Sequence, residues 1–271
     1  MKKTVFLMLF FLLILVGSYS IVDLETTNAY IVRAETGVKE VKIAFFNAPP
    51  HIFLDEKTGR IQGAVYELLE NYLAPAMNVK FVWDREPTTV PRQLSLLEAN
   101  TEYAAALLVY SPERAQKFVF PKVAYISNPS VLTLLKSNKL DKITKVEDIT
   151  DLVIGYARDT AITPFMKNDK IKFDLISAAN FNEVNFKKLM AKRIDAVYAP
   201  DKVSMLYLMK QLNLEQQCKI LNLPEKPALY HVVFSQSLKD VADKYNKASV
   251  KIDTRQIYLK LLDKYIDTSK L

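Results

Sequence analysis

Leu107–Tyr125 reads LLVYSPERAQKFVFPKVAY, and its punctuation decides the fold. An apolar run with the pattern of a buried strand ends at Tyr110. A Ser-Pro pair then opens one short helical turn, Ser111-Pro112-Glu113-Arg114, and a second apolar segment, Phe118 to Pro121, follows directly. Ser at the cap and Pro at the first helical position are what a helix start requires. A cation in that first turn opposes the helix dipole, so Arg114 does not serve the helix's own stability. An anionic partner is expected opposite it.

Working outward, Val41–Phe46 reads as a strand, followed by a proline-stiffened loop through Pro49, Pro50, His51 and Phe53. Asp55–Gly59 is a turn and Val65–Leu73 an amphipathic helix. Val79–Trp83 is a strand, Pro91–Ala99 a helix and Tyr103–Tyr110 a third strand. A βαβαβ opening implies a parallel sheet wound with helices. Ser130–Lys136 reads as a strand leaving this unit. A second, smaller α/β unit then occupies about 138–222. It comprises a strand through Val153–Tyr156, a helix over 160–168, a strand at 173–176, a helix at 182–192, a strand at 195–199 and a helix at 202–213. Tyr230–Phe234 is a strand, and 238–265 is mostly helix.

The chain has 271 residues, 50% hydrophobic and 25% charged, with 12 Pro and 5 Gly. That fits one or two α/β domains with a substantial core and excludes fibrous or disordered classes. Met1-Lys2-Lys3 followed by an apolar run to Val16 reads as a secretory signal. Cleavage is expected near Ser18-Tyr19-Ser20 or at Val32-Arg33-Ala34, so residues 1–34 are assigned to a signal peptide. An uncleaved membrane anchor is the alternative. No cysteine lies near the segment, which excludes a diacylglyceryl anchor. Cys218 is the sole cysteine, so no intramolecular disulfide forms and stability must come from packing. The net charge of +7 is spread as lysines without a long run, which is not a nucleic-acid footprint. His51 and His231 are too few and too far apart for a metal site. The chain has no HExxH, P-loop, GxGxxG or G-x-S-x-G. Catalytic readings lack residues, and neither an enzyme nor a cofactor is expected.

The strand, the S-P-E-R turn and the Phe-x-x-P-x-x-Tyr tail together resemble the extracellular solute-binding proteins of family 3, the amino-acid type of type II periplasmic binding protein. The likeness runs from Val41 to the C-terminus. It is carried also by Ala48-Pro49-Pro50-x-x-Phe53 with Gly59-x-Ile61-x-Gly63, by Val153-Ile154-Gly155 with Thr160, and by Lys192-Arg193-Ile194-Asp195-Ala196. The resemblance implies a two-lobed α/β fold, two parallel-rich sheets wound with helices and joined by two crossover strands. Lobe 1 is expected over 35–136 and 223–271 and lobe 2 over 137–222, with hinge strands near Ser130–Lys136 and Pro227–Phe234. It implies a monomeric periplasmic receptor that closes on a small molecule and hands it to an ABC permease. The rival is a sensor that signals to a membrane receptor.

In that family the arginine at the Arg114 position grips a ligand carboxylate, a role for which a planar guanidinium is suited. Departures matter as much. Ala106, Leu107 and Val109 stand where amino-acid binders carry small polar residues, Asp159 replaces a glycine, and Pro200 occupies the place of the acid that holds the ammonium. Losing these partners argues against an ordinary α-amino acid as ligand. Seven further residues are candidates with open alternatives. Phe46, Phe53 and Tyr110 flank strand ends, as core or as cleft wall. Arg92 is a helix-surface residue or a second cationic contact. Arg158 and Thr160 lie at an expected helix start, where backbone N–H groups receive anions or a side chain simply caps. Asp201 caps the helix at Lys202 or faces ligand.

Overall fold

Two five-stranded sheets organise the molecule. The computed structural model describes residues 37–271 apart from Asn100, Ala161 and Ala179; the expected signal peptide lies outside the described residues. The first sheet has the order β4-β1-β5-β12-β6, from β1 Lys39–Ala44, β4 Val79–Trp83, β5 Tyr103–Val109, β6 Ile126–Asn128 and β12 Ala228–Phe234. The second has the order β11-β7-β10-β8-β9, from β7 Val131–Leu135, β8 Val153–Ala157, β9 Lys172–Ile176, β10 Ala196–Ala199 and β11 Cys218–Asn222. In each sheet two pairings are parallel and two antiparallel. The parallel pairs are the βαβ units visible in the sequence. The antiparallel ones involve strands that enter or return after a crossing. A hairpin, β2 Phe53–Asp55 with β3 Arg60–Gln62, stands apart.

β5 shows why the first sheet sits where it does. Its sequence YAAALLV is buried from Ala104 to Leu108, and such a continuous apolar run is what a strand covered on both faces requires. One large core gathers Val41, Ile43 and Phe45 with Leu68, Phe234 and Tyr245. The second sheet carries a core on each face, one around Phe186, Leu189 and Met205 and one around Ile149, Met166 and Tyr198. Gly155 in β8 has no room for more: a Cβ there would lie 2.6 Å from Ile194 Cδ1.

The chain crosses between the sheets at Pro129–Ser130 and again between Leu223 and Pro227, and the Leu223 N–H donates to the Ser130 carbonyl at 2.9 Å. The strand read at Ser130–Lys136 as part of lobe 1 pairs wholly in the second sheet, with β10 and β11. The crossing itself is shorter than the sequence suggested, because Pro129 ends β6 before the apolar run begins. The helix expected over 160–168 is reduced, among its described residues, to a 3-10 turn at Pro164–Met166. Pro164 forces Thr163 into an extended conformation (φ −71°, ψ 159°). Three short strands, β2, β3 and β6, and the edge strand β11 were not expected. The helix at 65–73 runs longer, from Ala64 to Met77 through a π-helical turn at Leu69–Leu73, with Pro75 in the first turn of its last segment.

Candidate functional site

Arg114 leaves the helix Pro112–Lys117 in its first turn. Ser111 caps that helix by accepting the Arg114 N–H at 3.3 Å. The guanidinium is half-buried, and Nη1 donates to the Val109 carbonyl at 3.1 Å. Burial pulls its pKa below the usual value, with Tyr156 and Glu113 opposing. Among the described residues no carboxylate lies within ion-pair distance of it.

Arg114 lines a narrow cleft between the two sheets, with a water-accessible volume of about 60 Å³. The first sheet's side gives Phe46, Val90, Leu107 and Tyr230. The second gives Tyr156 at β8, Phe181 and Asn182 from the helix Phe181–Met190, and Asp201 and Ser204 around the start of the helix Lys202–Gln211. The Phe46 and Phe181 rings meet across the cleft at 6.3 Å. The Tyr156 hydroxyl hydrogen-bonds Thr160, whose own hydroxyl donates to the Ala157 carbonyl at 2.8 Å, and burial pushes Tyr156 up to about 12. Asn182 Oδ1 is buried without a partner.

The floor of the cleft is a polar network that joins the two halves. Asp201 accepts five hydrogen bonds. Oδ1 takes the Val203 N–H (3.0 Å) and Asn128 Nδ2 (2.8 Å), while Oδ2 takes the Ser204 N–H (3.3 Å), the Ser204 hydroxyl (2.5 Å) and His51 Nε2 (2.6 Å). Val203 and Ser204 belong to the second half; Asn128 and His51 belong to the first. The other imidazole nitrogen shares a 2.5 Å hydrogen bond with the Tyr258 hydroxyl, and the ring lies near-parallel to Tyr258 and Tyr230. Burial alone would raise the Asp201 pKa; the adjacent His51 and the hydrogen bonds from His51, Ser204 and Val203 outweigh it and hold the carboxyl below its usual value. Gly63 makes this packing feasible. At φ +120° its missing Cβ would stand 2.4 Å from the His51 carbonyl oxygen.

Of the eight residues singled out in the sequence, the structure brings Arg114, Phe46, Thr160 and Asp201 to one cleft. Asp201 does cap its helix, and its carboxylate is fully engaged within the protein. Arg158 stands exposed at the outer mouth beside Asp159, and no helix begins there to present backbone N–H groups. Tyr110 is 44% exposed outside the cleft, edge-on to Phe120 at 5.3 Å and beside His231. Phe53 packs against Tyr207 and Tyr265, away from Arg114. Arg92 lies exposed on its helix, where it acts on Asp84 and Tyr103. Sequence reasoning missed His51, Asn128 and Tyr258. Their partners are 73 to 207 positions distant, and no local pattern marks such a pairing.

This fold, with a cleft between two sheets and an arginine at its wall, belongs to a known class of ligand-binding protein. The family model for bacterial extracellular solute-binding proteins, family 3, matches residues 41–268, so the chain is a member of that family. No curated protein matches its sequence. Among solved structures, an ancestral arginine-binding protein bound to arginine aligns with a TM-score of 0.68 at 22% identity, covering 84% of this chain and 98% of that one. The periplasmic VFT2 domain of Bordetella pertussis BvgS aligns at 0.68 and 18%, covering 84% and 93%. The substrate-binding protein of an amino acid ABC transporter aligns at 0.66 and 19%, covering 85% and 99%. At these identities the likeness is one of fold, the two-lobed type II periplasmic-binding-protein fold.

Proposed function

We propose that this protein is an extracytoplasmic receptor that closes its two lobes on a small anionic solute and presents it to an ABC importer. The observation that carries this reading is Arg114, a half-buried guanidinium on the cleft wall with no carboxylate of the described residues within ion-pair distance. Burying a charge without a partner is costly, so a ligand anion is the natural complement. The cleft as built is narrow, which fits a lobe-closed state. Solute enters when the lobes part at the crossings near Pro129–Ser130 and Leu223–Pro227, binds Arg114, and is enclosed by Tyr156, Thr160 and Phe181 on closure. The lobes then comprise the two sheets with their helices, exported by the N-terminal segment and active as a monomer. Thermal unfolding of wild type and Arg114→Ala against carboxylates, amino acids, amines and phosphorylated metabolites tests the reading. A solute at 100 times its dissociation constant adds about 2.7 kcal/mol of stability to the wild type. A ligand that stabilises both proteins equally refutes the role of Arg114.

A second reading is favoured by the His51–Asp201 contact, which holds the lobes together through the protein's own groups. A receptor of this kind is suited to reporting a change of lobe angle to a membrane partner, as a sensor. Copurification of a membrane kinase rather than a permease would select it.

A further inference from the structure

Resting on the receptor reading, we infer that the cleft selects a small monocarboxylate with an apolar or aromatic body and rejects the amino acid of the same skeleton. Three observations on different residues converge on this ligand.

The first is charge. The inner cleft presents two charged side chains, Arg114 and Asp201. Arg114 uses one N–H on a backbone carbonyl, which leaves others of its planar fork for an acceptor with two oxygens. Asp201 has no such capacity left. Its two oxygens already take five donors, among them His51 Nε2 at 2.6 Å. A ligand ammonium would find a carboxylate already committed. Glu113, beside Arg114 in sequence, and Asp159, at the mouth beside Arg158, do not line the inner cleft. The one charge in the inner cleft without an ion-pair partner is thus positive, and its complement is a single negative one.

The second is the wall. Phe46, Val90, Leu107, Tyr156, Phe181 and Tyr230 surround the space in front of Arg114. Such a surface gains from contact with an apolar or flat body and offers nothing to a second charge. The third is Asn182 Oδ1, buried and unpaired at the cleft. It is a neutral acceptor, suited to a hydroxyl on the ligand and too weak to compensate a buried cation.

The matched series 3-phenylpropionate, 3-phenyllactate and phenylalanine varies only the substituent beside the carboxylate: hydrogen, hydroxyl, ammonium. Calorimetric titration of the purified protein with each, alongside the wider solute panel, tests the inference. The two acids without nitrogen bind, and phenylalanine binds about 100-fold more weakly or not at all, the penalty expected of an uncompensated buried charge. Arg114→Gln abolishes binding of both acids. Phenylalanine binding as tightly as 3-phenylpropionate overturns the inference and leaves the receptor standing. So does binding of another panel class with both acids inert. A panel in which no solute binds overturns the inference and the receptor reading together.

Discussion

Replacing Asp201 by alanine should destabilise the protein by about 4 kcal/mol, because its carboxylate is the shared acceptor of both lobes. The structure sets that size. Removal strands the imidazole of His51, the amide of Asn128 and the hydroxyl of Ser204, all buried, and uncaps the helix Lys202–Gln211. Loss of the cap alone accounts for about 1 kcal/mol. The rest is the desolvation of donors left without an acceptor. Since a domain's whole stability is about 5–15 kcal/mol, Asp201→Asn should be made alongside, as it keeps one oxygen and the shape. The assay is urea unfolding at pH 7 for wild type, both variants, His51→Ala and the Asp201→Ala/His51→Ala double variant. The coupling between the two residues should exceed about 1.5 kcal/mol. The sign with pH follows from the depressed Asp201 pKa. Its contribution is complete above the ordinary carboxylate range and is lost as pH falls through the folded-state value. Additive single losses, or an Asp201→Ala cost below about 1 kcal/mol, would show that the network does not hold the lobes.

His231 supplies a separate acid sensitivity. Burial lowers it from 6.5 to about 4, only partly countered by a hydrogen bond to the Pro121 carbonyl. The folded state therefore resists protonation. Stability is complete well above pH 6.5 and falls by about 2 kcal/mol between pH 7 and pH 4.5, a slope that His231→Phe should remove from urea titrations at the two pH values. Gly63→Ala should cost about 3 kcal/mol in the same assay, since it combines a positive φ with a Cβ 2.4 Å from the His51 carbonyl oxygen; a loss under about 1 kcal/mol would mean that the loop shifts at little cost.

The architecture was legible in the sequence where local patterns are strong. The buried run of β5, the Ser111-Pro112 helix start and the βαβ spacing give the first sheet, and the motif around Arg114 points to the cleft. Short strands were not legible: β6 has three residues, and β11 alternates weakly because its side chains are only partly buried. The site was half legible. Arg114 announces itself by sitting at the wrong end of a helix dipole, and Asp201 by its place before Lys202. The commitment of Asp201 was hidden, because what engages it comes from a loop 150 residues earlier and from a strand on the other lobe. Tyr110 and Phe53 show the converse. An aromatic at a strand end is a fair sign of a cleft only when nothing closer claims it, and Phe120 with His231, and Tyr207 with Tyr265, claim these two.

The hydrogen bond from the Leu223 N–H to the Ser130 carbonyl pins the two interlobe connectors to each other. Two straps fastened at a common point cannot swing independently. In the proposed receptor, the freedom left to the lobes is a twist about a single line through both, one coordinate instead of a loose wander. A substitution near that line, such as glycine for Pro129 or Pro227, would loosen the coordinate itself. It would change how fast the lobes part and leave the chemistry of the cleft as it was.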